Sequence, residues 1–156
     1  RQEIEASLLI AGFPTTEFDP ERLRSLARRQ GIDDDVTIDA RYLPLEDVGP
    51  LVRTGSVMVL PYRTATASGV LQVAYVFGRP VVVTEVGDLP ASVEHGETGL
   101  VVPPRDPDQL ARALVKMLSA PNDLERMGAA ALRVTEERFS WDPIARQILD
   151  AYEGLT

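Results

Sequence analysis

Ser56–Val86, SVMVLPYRTATASGVLQVAYVFGRPVVVTEV, decides the fold of this chain. Val57-Met58-Val59-Leu60 is a short apolar run that Pro61 ends. Small polar residues follow as far as Ser68-Gly69, and an apolar segment runs from there to Gly78. Pro80 leads into a second run, Val81-Val82-Val83. The order is strand, loop, helix, strand. Both strands are apolar at every position, as in a parallel sheet covered on two faces. Parallel neighbours need a crossover, and the intervening helix supplies it. Ligands of such sheets sit at the carboxyl ends of the strands, where the loop from Pro61 to Gly69 falls.

The 156 residues suffice for one α/β domain over positions 1–156. With 44% apolar and 26% charged residues, the composition is that of an ordinary soluble globular protein. No apolar run approaches membrane-spanning length, and Arg1-Gln2-Glu3 is unlike a signal peptide. Cysteine is absent, which excludes disulfides and thiol chemistry, and His95 is the single histidine. That argues against a zinc site and against most histidine-based catalysis. A formal net charge of −8 disfavours nucleic acid and anionic membranes as partners.

On either side of the central stretch the chain continues as strands and helices, with no internal repeat. Ala6 to Gly12 is an apolar run expected to form a buried strand, with a loop from Phe13 to Phe18. Asp19-Pro20 starts a helix, by a capping carboxylate and a proline at the first position, and Gly31 stops it. Leu23, Leu26 and Ala27 form its apolar face, and Arg22, Arg24, Arg28 and Arg29 a solvated one. Asp33-Asp34-Asp35 lacks the spaced ligands of a calcium loop and is expected to be a turn. Val36 to Tyr42 alternates like a strand near a sheet edge. Leu45 to Val52 is expected to be a short or irregular helix, weakened by Gly49 and Pro50.

After Val86, Gly87-Asp88 is a turn at a strand's carboxyl end, and Glu94 to Gly99 another, before a short strand ended by Pro103-Pro104. Asp106-Pro107-Asp108-Gln109 is a strong helix start. Leu110, Ala113, Leu114, Met117 and Leu118 make up the buried face of that helix. The next, from Asn122, turns Leu124, Met127, Ala131, Leu132 and Val134 inward. A last helix is expected from about Pro143 to Tyr152, anchored by Trp141. Tyr75 and Phe77 are expected in the core, His95 in an exposed turn, and Arg79 in solvent.

Thr64, Thr66, Ser68 and Gly69 stand just ahead of the central helix. The unpaired amides of a helix start, at its positive end, receive anions, and small residues let a phosphate come close. Composition alone favours the plainer alternative, in which Thr66 or Ser68 serves only as the cap. Tyr62 and Arg63 border the cleft, where contact with phosphate or base and simple packing fit alike. The sequence contains no phosphate loop ending in Gly-Lys-Ser/Thr, no Gly-x-Gly-x-x-Gly and no Gly-x-Ser-x-Gly elbow.

Four pieces together resemble the donor-binding, carboxyl-terminal half of group 1 glycosyltransferases: Val57-Met58-Val59-Leu60-Pro61, Gly78-Arg79-Pro80-Val81-Val82-Val83-Thr84, Val86-Gly87-Asp88-Leu89-Pro90 and His95-Gly96-Glu97-Thr98-Gly99-Leu100-Val101-Val102. Asp106 to Ala111 and Phe139-Ser140-Trp141 are similar too. The likeness covers most of the chain and keeps order and spacing. It implies a Rossmann-like parallel sheet sandwiched by helices, one half of the two-domain GT-B architecture. It also implies a nucleotide-diphospho-sugar as donor substrate, with no separate cofactor, no metal and a cytoplasmic location. By position, the backbone that grips phosphate and sugar would be Thr66, Ala67, Ser68, Gly69 and Val70, with Arg63 nearby. The glycine turn that approaches the donor would be Gly87 and Asp88.

The chain departs from that family at three places. The two glutamates usual in the family, separated by seven residues, fall on Ala65 and Val73, and the acid after the Leu-Pro of the glycine turn falls on Ala91. Nothing before Ile4 resembles the family's first strand and helix. The resemblance thus implies a fragment of a longer protein, lacking the amino-terminal acceptor domain and inactive alone. Transfer of a hexose, with retention, by the full-length protein is the leading expectation. A degenerate module that binds a sugar nucleotide or a partner without catalysis is the alternative, and an unrelated flavodoxin-like binding domain a third.

Overall fold

Among the residues described by the computed structural model, 4–14, 18–139 and 141–153, every strand pairing is parallel. Arg1 to Glu3, the middle of the loop expected between Phe13 and Phe18, and Ser140 lie outside these residues. The backbone divides into two compact units, Arg1–Leu51 and Val52–Thr156.

In the first unit β1 (Leu8–Ala11) pairs with β2 (Val36–Asp39), Leu8 opposite Val36 and Ala11 opposite Asp39. The crossover between them is α1 (Pro20–Gln30), whose first amides, those of Glu21 and Arg22, bond to the Asp19 carboxylate as expected. Asp33–Asp35 is one exposed turn of 3-10 helix. The expected buried strand is corrected: Leu8 is 47% and Leu9 40% exposed. The layer is not filled, because Leu26 of α1 also stays half-exposed and a cavity of about 330 Å³ opens beside Leu8, Ile10, Leu23 and Val36. Arg24 is not simply solvated; it pairs with Glu21 and reaches the Ile38 carbonyl. β2 ends three residues short of Tyr42, since Arg41 turns onto the carboxylates of Asp39 and Asp47.

α2 (Leu45–Thr54) begins in the first unit and ends in the second as one ten-residue helix, where a short or irregular one was expected. Pro50 stands inside the helix at its sixth position, where its ring withholds the bond to the Glu46 carbonyl without ending the helix.

The second unit carries β3 (Met58–Leu60), α3 (Gly69–Val76), β4 (Val81–Thr84), α4 (Leu89–Ser92) and β5 (Gly99–Val102). Then follow α5 (Pro107–Leu118), α6 (Pro121–Val134), a π-helical turn (Thr135–Phe139) and α7 (Trp141–Glu153). The strand order is β3-β4-β5, with β4 in the centre. Val81 and Val83 face a core shared with α3 and α6, while Val82 faces Leu100, Ala113 and Met117 on the other side. The continuous apolar run therefore has the cause inferred for it, helices on both faces. Each fully buried valine contributes on the order of 1.5–3 kcal/mol.

The turn from α3 to β4 is a Schellman motif. Gly78 has φ +61°, its amide bonds to the Tyr75 carbonyl, and that of Arg79 to the Ala74 carbonyl. α6 lies close against it: a Cβ on Gly128 would stand 2.3 Å from the Gly78 oxygen. Tyr75 is buried, as expected, but Phe77 is only half-buried, with the Arg53 guanidinium 4.6 Å from its ring centre. Arg79 is corrected from solvent to partial burial: its Nη2 donates to the Arg53 carbonyl, and its buried Nε has no partner among the described residues. Leu132 of α6 points outward, because the inward face follows Met127, Ala131 and Val134. Trp141 opens α7 at 83% exposure, so the anchoring role expected of it is corrected. No helix of the described residues is long and apolar enough to cross a membrane.

Candidate functional site

Two segments leave the carboxyl ends of neighbouring strands, the loop Pro61–Ser68 after β3 and the turn Glu85–Asp88 after β4. Backbone chemistry ties them together. The Thr84 hydroxyl donates to the Tyr62 carbonyl at 2.6 Å, and the Asp88 amide donates to the Thr66 carbonyl at 2.9 Å. Gly87 has φ +53°, and a Cβ there would meet the Ala65 oxygen at 2.0 Å. Only glycine satisfies both the left-handed backbone and the close approach.

This junction presents the start of α3. Ser68 is its N-cap, its Oγ accepting the Leu71 amide at 3.3 Å with the Tyr62 hydroxyl also 3.3 Å away. The sequence left open whether Thr66 or Ser68 caps; Ser68 does, and Thr66 acts through its carbonyl. Capping uses up the Leu71 amide but not those of Gly69 and Val70, which have no hydrogen-bond partner among the described residues. Both residues are exposed, and a Cβ built on Gly69 meets nothing within 4 Å. The positive end of α3 thus offers two unsatisfied donors to solvent, the arrangement that receives an anion.

Beside them lies a cavity of about 60 Å³ lined by Ala67, Ser68, Leu71, Gln72, Asp88, Leu89 and Ser92. Of the sequence-derived candidates, Ala67, Ser68 and Asp88 meet there, Gly69 and Val70 form the adjoining helix start, and Thr66 and Gly87 build the junction. Arg63 is exposed in the same loop but does not line the cavity, and no ion pair of the described residues includes it. Gln72 and Ser92 were not singled out from sequence. Each stands four residues after a candidate, Ser68 and Asp88, and so shares its helix face; that spacing was the available signal.

Beneath the cavity a buried network holds the end of α4. The Tyr75 hydroxyl donates to the Ser92 carbonyl at 3.2 Å and accepts from Thr98, 2.6 Å away; Thr98 Oγ1 in turn accepts the Glu94 amide at 3.0 Å. Burial pushes the Tyr75 phenol above its ordinary pKa, and the Thr98 hydrogen bond offsets part of that. His95 is exposed, as expected, and its Nδ1 accepts the Val101 amide at 3.1 Å, a turn-fixing role. No group of three or more histidine, aspartate or glutamate side chains among the described residues is placed to hold a metal ion.

The family described as glycosyl transferases group 1 matches residues 1–120, and the chain belongs to it. A D-inositol 3-phosphate glycosyltransferase of Streptomyces bingchenggensis is 35% identical over 136 residues, which are 85% of this chain and 29% of that protein. The chain spans about a third of the length of the curated relatives it matches. Among solved structures, a sucrose-phosphate synthase from Thermosynechococcus elongatus superposes with a TM-score of 0.81 at 29% identity, over 96% of this chain and 38% of that one. HepE of Anabaena, solved in complex with UDP, gives 0.78 at 19% identity, over 96% and 41%; at that identity the likeness is one of fold. The fold is the Rossmann-like α/β half of a GT-B glycosyltransferase.

Proposed function

We propose that this group 1 chain is the donor-binding part of a nucleotide-sugar-dependent glycosyltransferase, which transfers a hexose with retention once joined to an acceptor-binding domain. The observation that carries the proposal is the open start of α3, where the Gly69 and Val70 amides lie free beside the Gly87–Asp88 turn. There the diphosphate of the donor would sit on Thr66 to Val70, with Arg63 as the nearest cation of the loop. Amide dipoles aimed at the leaving diphosphate lower the barrier by stabilising the charge that develops on it. HepE, with a similar fold, is described in complex with UDP, which makes a uridine nucleotide the first donor to try.

Calorimetric titration with UDP, GDP and ADP, with the amides of Thr66 to Val70 followed by heteronuclear NMR, tests this. One nucleotide is expected to bind between micromolar and millimolar and to shift those amides. Saturable binding that shifts only amides elsewhere would sink the assignment.

A second function, a binding module without catalysis, is favoured by Ala65 and Val73, neither of which has a side chain able to accept a hydrogen bond. Transferase activity of a protein that contains this chain, abolished by blocking the α3 start, would exclude it.

A further inference from the structure

Resting on the donor-site assignment above, we propose that Tyr75 is a positioning residue for that site. Its buried hydroxyl holds α4, and with it the Gly87–Asp88 turn, at a fixed place against the start of α3.

α4 is a single turn of four residues, too short to keep its own shape, so its place is set from outside. At its start the Asp88 amide donates to the Thr66 carbonyl at 2.9 Å. Along it the Asp88 carbonyl accepts the Ser92 amide at 3.2 Å and the Ser92 hydroxyl at 3.0 Å. At its end the Ser92 carbonyl accepts the Tyr75 hydroxyl at 3.2 Å. Tyr75 belongs to α3, two turns along from the cap Ser68 and so on the same face. The bonds therefore close a ring, from Thr66 through Asp88, Ser92 and Tyr75 and back along α3 to its cap. The cavity lies inside this ring, walled by Ser68 and Leu71 on one side and by Asp88, Leu89 and Ser92 on the other.

Tyr75 is the link that water cannot replace. It and Thr98 are both 0% exposed. Thr98 Oγ1 accepts the Glu94 amide, so its own proton goes to the phenol oxygen, which leaves the phenol proton for the Ser92 carbonyl. Hydrogen bonds chained in this way in a low dielectric strengthen one another. The hydroxyl does not line the cavity, so Tyr75 acts on a ligand through α4 and not by contact. A junction held in this way spares the ligand the cost of ordering it.

The test compares Tyr75→Phe with the parent chain and with Val82→Ala, a buried truncation on the opposite face of β4 that loses stability without touching the ring. Two readouts are taken: NMR hydrogen exchange of the Asp88 amide in the ligand-free chain, relative to the slowest amides of β4, and calorimetric affinity for UDP, GDP and ADP. Tyr75→Phe is expected to speed the relative exchange of Asp88 roughly threefold or more and to weaken the nucleotide that binds roughly threefold to tenfold. Val82→Ala should leave both at the parent's values. Ser92→Ala, which cuts the next link at a partly exposed side chain, is read in the same way should Tyr75→Phe unfold. Unchanged relative exchange or unchanged affinity overturns the positioning role and leaves the donor site standing. Equal effects in Val82→Ala overturn it too, since they would follow from lost stability alone. If no nucleotide binds the parent chain, the donor-site assignment itself falls, and this role with it.

Discussion

The backbone amide of Asp88 donates to the carbonyl of Thr66 at 2.9 Å, so the turn after β4 and the loop after β3 form one structure. Gly87 lies directly against Ala65 at the same junction, and the start of α3 is held in place from behind. The free amides of Gly69 and Val70 are thereby positioned before any ligand arrives, which lowers the ordering cost of binding.

Gly87→Ala should break this junction. The new methyl meets the Ala65 oxygen at 2.0 Å, and alanine at φ +53° is strained besides. The backbone strain alone costs about 1–3 kcal/mol. Urea unfolding should show at least that loss, together with weakened nucleotide binding. A variant as stable as the parent would mean that the two segments are free to separate.

Ser68 caps α3 through one accepted bond, and the amides proposed to hold phosphate are not the one it occupies. Ser68→Ala should therefore cost about 1 kcal/mol of stability, and Ser68→Gly only a few tenths. Nucleotide affinity, measured on folded protein, should fall less than stability does. A collapse of affinity in Ser68→Gly would instead place the hydroxyl on the ligand.

Tyr75 makes stability depend on alkaline pH. Burial holds its phenol protonated above the ordinary tyrosine value near 10, whereas the unfolded chain ionises at that value. The contribution is fully present below about pH 10, and stability falls as pH rises beyond it, because the unfolded state then binds fewer protons. Tyr75→Phe should cost about 1–3 kcal/mol at neutral pH, by leaving the Thr98 O–H donor and the Ser92 carbonyl without the Tyr75 hydroxyl. The same variant should lose stability less steeply between pH 9 and 11. Parallel urea titrations of the two proteins check this; equal slopes would contradict it.

Trp141, the single tryptophan, is 83% exposed. Its emission should already be that of a hydrated indole in the folded protein and shift little on unfolding. Trp141→Ala should change stability by no more than about 0.5 kcal/mol. A blue-shifted emission would show the ring covered in solution.

Much of the second unit was legible in advance. Val81–Val83 announces a buried parallel strand, apolar at every position because helices cover both faces there. Val57–Leu60 announces the strand but overstates its burial, since β3 is an end strand of the three-stranded sheet and only Leu60 is buried. Asp19-Pro20, Gly31 and Asp106-Pro107 mark helix ends, because capping and left-handed backbone are local matters. The open start of α3 was visible for the same reason: unpaired amides follow from helix geometry alone. Burial was harder to foresee. Apolar Leu8, Leu9, Leu132 and Trp141 are exposed, and charged Arg79 is partly buried, because burial depends on what distant segments bring against a side chain.

The sequence by itself determined the order of strands and helices, their caps and the loop ahead of α3 that forms the candidate site, all properties of neighbouring residues. Only the tertiary structure decided that Gly87 rests on Ala65, that Asp88 is bound through its backbone while its carboxylate caps no amide of α4, and that Gln72 and Ser92 share its cavity. Those relations join segments about twenty residues apart, and they exist because parallel pairing of β3 with β4 brings both carboxyl ends to the same edge of the sheet.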